Sequence, residues 1–185
     1  MSNIKQAAAQ MALADEAGAL LRDNMAPREA VQTLLDAGKQ QDALKLLARL
    51  LPKRYVVAWV CQCARDQALP VEAKAGAALA EKWVRDPSEE NRRAAFEFAN
   101  AGGFESLGAV IAATAGMADG SLAPAKQEIP VPPPEHMTAM VAAGAVTMLA
   151  ALDEAQFATR KTAFVKRAME LLGPPGNHGG AARTA

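Results

Sequence analysis

Proline and glycine interrupt this chain at short, even spacing, at Pro27, Gly38, Pro52, Pro70, Pro87 and Gly102-Gly103. Between the breaks, apolar residues recur at helical spacing, and no stretch alternates apolar and polar residues with strand composition. Proline opens a helix well because the first turn leaves its N–H positions unpaired anyway. Glycine closes one because it enters the left-handed region without a Cβ clash. A chain cut in this way folds as short helices joined by tight connections, which sets neighbours antiparallel. No motif recurs at a fixed longer period, so the pattern reads as a bundle rather than a solenoid.

The strongest local signal is the corner Trp83-Val84-Arg85-Asp86-Pro87-Ser88-Glu89-Glu90-Asn91-Arg92-Arg93. The spacing predicts Asp86 as N-cap, Pro87 at N1 and Glu89 at N3, reaching back as in a capping box. Ser88, Glu89 and Glu90 then sit at the positive end of the helix dipole. Trp83 on one arm and Phe96 and Phe98 on the other supply apolar bulk.

In chain order, the expected helices cover residues 4–23, with Met11, Ala14, Ala17, Leu20 and Leu21 inward, a short one from Pro27 to the stop at Gly38, and 39–51. Next come 52–67, carrying the stripe Val56, Trp59, Val60, Cys63, then 70–85, 87–101, and 107–118 capped by Ser106. Residues 119–134 differ, because Pro130-Val131-Pro132-Pro133-Pro134 must be extended. A helix near 135–151 is apolar almost all round and is expected at the centre of the bundle. Asp153 is expected to cap a last helix, 154–172. The fold class is thus all-α, a multi-helix bundle of about nine helices, with 1–172 as a single domain and 173–185 as a disordered tail.

Charges balance at 20 basic and 20 acidic residues, and the basic pairs are dispersed, which argues against a membrane-surface protein and leaves nucleic-acid binding as a third, less favoured reading. No secretory signal opens the chain, and the longest apolar run falls short of the roughly 20 residues that span a bilayer. Cys61 and Cys63 lie on different sides of one helix and cannot bond to each other. With no disulfide framework, the expected compartment is the cytoplasm.

Candidate chemistry is sparse. Structural zinc wants four ligands, and only His136 and His178 could join the two cysteines, so no metal or cofactor is expected and the thiols read as buried structural groups. A nucleophilic pair of His136 with Cys61 or Cys63 is the alternative, enzymatic reading. Asp86, Glu89 and Glu90 are explained by capping. Arg92 and Arg93 read as a solvated helix face; the other readings are pairing with those acids at i, i+3, or a contact for a partner's carboxylate or phosphate. Pro130, Pro132 and Pro133 carry a P-x-x-P spacing that suits an aromatic groove on another protein, or a stiff spacer.

The stretch Trp83 to Ala95, followed by Ala123-Pro124, Pro132-Pro133-Pro134 and an alanine-rich helix, resembles an uncharacterised family of bacterial helical proteins found among genes for type VI-like secretion. The likeness covers roughly residues 50–152. It departs at Gly116-Met117-Ala118-Asp119-Gly120, where a Trp-Ser-Gly-Gly-like stretch is expected, so no site built on that tryptophan is carried across. The resemblance implies a bacterial cytoplasmic protein that works beside a secretion machine or its effectors. Taken with the sparse chemistry and the helical hairpins with exposed basic turns, the expected role is a non-enzymatic adaptor or accessory factor with a secretion component or effector as its protein partner.

Overall fold

The apolar stripes close on one another in a computed structural model that describes residues 3–173. Apart from Gly173, the expected tail lies outside the described residues, as does His178. Ten α-helices follow in order: α1 Ile4–Gln10, α2 Asp15–Gly18, α3 Pro27–Asp36, α4 Gln40–Leu50, α5 Lys53–Arg65, α6 Val71–Arg85, α7 Glu89–Ala101, α8 Leu107–Gly116, α9 Met137–Ala151 and α10 Phe157–Met169. Two 3-10 turns, Glu154–Gln156 and Glu170–Leu172, flank α10, and no strand occurs among the described residues.

The proline and glycine breaks fall where expected. Gly38 takes φ +70°, and Lys39 N–H returns to the Leu34 carbonyl at 2.8 Å, closing α3. Ser106 caps α8 by accepting from Ala109 N–H at 3.2 Å. Three expectations are corrected. The 4–23 helix is two short helices broken at Ala12, which has φ +48°. The Asp42 carboxylate accepts from Ala14 N–H and Lys45 donates to the Ala12 carbonyl, so α4 satisfies the broken backbone, while Ala14 and Leu20 are left exposed. The start of α7 also shifts: Ser88, not Asp86, is the N-cap, Pro87 lies before the cap rather than at N1, and Glu89 is the first helical residue rather than N3. Asp86 closes α6, and its carboxylate accepts from Asn91 Nδ2 at 2.9 Å. Finally, Asp153 makes no cap hydrogen bond; a 3-10 turn opens the last helical segment and Asp153 faces Arg160 instead.

The bundle has a spine of two helices rather than one. The central helix expected near 135–151 is α9, which packs on α4, α5, α8 and α10. It is not enclosed all round, since Met140 is 46% exposed and Gly144 faces open space. The helix closed on nearly every side is α8, which is built of small residues and held between α6, α7 and α9. Small residues let backbones touch: a Cβ on Gly76 of α6 would stand 2.1 Å from the Gly108 carbonyl oxygen of α8. The Glu72 carboxylate ties the same two helices by accepting from Ser106 Oγ and Gly108 N–H. Farther round, Trp59 is fully buried and donates Nε1–H to the Phe164 carbonyl at 2.9 Å, fixing α5 to α10.

Candidate functional site

Between the ends of α8 and α9 the chain runs without regular structure for twenty residues, 117–136, as a strap. Its first half is held by α7. Arg92 is among the largest fully buried side chains. Its Nε and Nη2 donate to the two oxygens of Glu89, each at 2.6 Å, in a side-on pair. Nη1 donates to the Gly116 carbonyl at 2.6 Å and Nη2 also reaches the Ser121 carbonyl at 3.2 Å. Arg93 donates to the Ala123 carbonyl at 2.9 Å and to Ser121 at 3.2 Å. Together the two guanidiniums clamp the strap.

The solvated-face expectation for Arg92 is therefore corrected. Its donors are committed to the Glu89 carboxylate one turn away and to carbonyls far along the chain, and the side chain is too buried for a partner's carboxylate to reach them. Arg93 stays partly open and lies 5.7 Å over the Phe96 ring. Hydrogen bonding from Arg92 holds the Glu89 carboxyl below the usual carboxylate range. The Gly116–Gly120 stretch is shaped to this clamp. A Cβ on Gly116 would stand 2.7 Å from Phe96 backbone, and one on Gly120, at φ +71°, would stand 2.6 Å from Arg92 Nε.

The second half of the strap faces outward. The Ser121 hydroxyl accepts from the N–H groups of Ala123 and Val131, and Leu122 N–H donates to the Val131 carbonyl at 2.8 Å, folding the strap on itself. Beyond this tie Ile129 is 75% and Val131 46% exposed; Pro130 and Pro132 are exposed and Pro133 half-buried. Glu135, at the end of this ridge, lines a cleft of about 520 Å³ together with Ile4, Asp23, Met25, Arg49, Leu51 and Lys53. Arg49 reaches Glu135 at 3.3 Å and Gln10 at 2.7 Å.

The remaining candidates are scattered. Cys61 and Cys63 are buried free thiols, and burial pushes both up to about 12. Cys61 borders a shallow cleft of about 200 Å³ with Gln62, Arg65 and Glu81. His136 stands at the N-cap position of α9 and makes no cap hydrogen bond. Trp83 is buried. Among the described residues no set of three or more His, Cys, Asp or Glu is grouped to hold a metal ion, and no single helix is long and apolar enough to cross a membrane. The sequence reading missed Ser121, Gly116 and Gly120 as strap fixers and Asp23 and Arg49 as cleft residues. Only Gly120, in its Asp-Gly turn signal, marked itself in the sequence.

Fold and surface together define an all-α bundle with a clamped proline strap. The chain belongs to a family of unknown function, DUF6931, whose model matches residues 30–172, from α3 to the last 3-10 turn. That match says nothing of secretion genes. No curated protein and no solved structure matches the chain.

Proposed function

We propose that the chain is a non-enzymatic protein–protein interaction module, an adaptor or accessory factor of a bacterial type VI-like secretion system. The observation that supports a docking role is the ridge 129–133. It presents apolar side chains to solvent on a base fixed by two arginines, where a plain connector would need neither the exposure nor the clamp. The secretion setting rests on the resemblance carried by Trp83 to Ala95 and by the proline run. The partner is then a protein, a secretion component or an effector, rather than a nucleic acid or a membrane. An enzyme built on His136 and the cysteines gains no support from thiols that burial keeps protonated.

Affinity purification of the tagged chain from its native host, with quantitative mass spectrometry, tests this. A secretion component or effector enriched over an untagged control is the expected result. Enrichment of no such protein above background would remove the secretion reading.

A further inference from the structure

We propose that the ridge 129–135 and the cleft beside it form one docking surface for a protein that offers an aromatic-lined groove with a lysine or arginine on its rim. This rests on the reading of the chain as an interaction module.

The backbone of the ridge narrows the mode of recognition. Pro130, Pro132, Pro133 and Pro134 have no N–H, and the Val131 N–H is taken by Ser121 Oγ at 2.9 Å. From Pro130 to Pro134 no donor is left, so a partner cannot add a strand here. Recognition is left to side chains and carbonyl oxygens, and rings stacked against prolines and aliphatic groups are the common solution for a preformed extended segment. Such a segment loses little conformational freedom on docking.

The cleft supplies the charge preference. It holds two cations and two acids, but they are unequally available. The Arg49 side chain is only 10% exposed and is committed to Glu135 and Gln10. Lys53 donates to the Ala118 carbonyl at 2.7 Å and to Asp119 at 3.3 Å. Asp23 is exposed and, among the described residues, accepts only from the Lys5 N–H at 3.2 Å. The Glu135 side chain is 71% exposed and keeps open acceptor sites beyond its ion pair with Arg49, and Glu128 is exposed at the other end of the ridge. The floor is apolar, made of buried Ile4, Met25 and Leu51. A side chain with an aliphatic stem and a cationic tip fits that combination.

The test places a photo-crosslinking residue in the full chain, expressed in its native host, at Val131 and separately at the exposed positions Tyr55 and Val71. The expected result is an adduct from position 131 whose partner peptide contains Trp, Tyr or Phe together with Lys or Arg. In the same chain Pro130→Ser with Pro133→Ser, or Asp23→Lys, should lower its yield about tenfold, the effect of losing roughly one good contact. An adduct on a peptide without aromatic residues overturns the proposal and leaves the interaction module standing. Adducts from Tyr55 or Val71 positions alone do the same. No adduct from any position, together with no partner in the purification, overturns both.

Discussion

Arg92 ties α7 to the end of α8 and to the strap. Its guanidinium spans a carboxylate and two carbonyls, a spread that one ammonium cannot cover. Arg92→Met should cost about 2–3 kcal/mol, because the Gly116 carbonyl is left buried without a donor while exposed Glu89 regains water. Urea denaturation measures this, and Arg92→Lys should not restore the loss. Glu89 gives the same clamp a pH signature. Its folded pKa is lowered from the ordinary 4.5, so its contribution is present above that value and is lost as pH falls through the lower folded value. Glu89→Gln should flatten the acid limb of a plot of urea midpoint against pH; an unchanged limb would place that dependence elsewhere. The cysteines act in the opposite sense. With both thiols raised to about 12, maleimide at neutral pH should label them far more slowly in the folded chain than in urea, and equal rates would contradict their burial. The i, i+3 pairing of Arg92 with Glu89 and the burial of Cys63 on the Trp59 stripe were legible from sequence, whereas the Gly116 and Ser121 carbonyls lie a loop and a helix away and were not.

At the level of elements, most boundaries marked by proline or glycine were readable, Pro87 excepted, and those marked by tertiary contact were not. Pro27, Gly38 and Ser106 set local geometry by themselves. The break at Ala12 has no such mark in an alanine-rich run and exists because Asp42 and Lys45 of α4 receive it. At the start of α7 both Asp86 and Ser88 suit a cap, and Ser88 takes the role because Asp86 is held by Asn91. Ser88→Ala should therefore cost about 1 kcal/mol in chemical denaturation, the usual loss for an N-cap; no change would mean that the first turn is held otherwise. In α9, Leu149 is fully buried while Met140 is half in water. Leu149→Asp should abolish soluble expression by burying an unpaired charge, and Met140→Asp should keep native circular dichroism and elution volume. Two well-folded proteins would overturn the central placement of α9.

Across the whole molecule the helices act as a frame for the strap. The all-α architecture was legible because every segment carried helical spacing, and the extended nature of 130–134 followed from its prolines. What the strap does with its exposed face was not, since exposure depends on which surface the bundle leaves uncovered. If the ridge is a docking surface rather than a connector, its side chains matter for capture and not for folding. Ile129→Ser with Val131→Ser in the full chain separates the two, with thermal midpoint and capture from the native host measured side by side. The midpoint should stay within about 2 °C of the parent, as exposed substitutions leave stability nearly unchanged, while the captured partner is lost. A partner still captured at the parent level, or a midpoint that drops well beyond that margin, would contradict the docking role of the ridge.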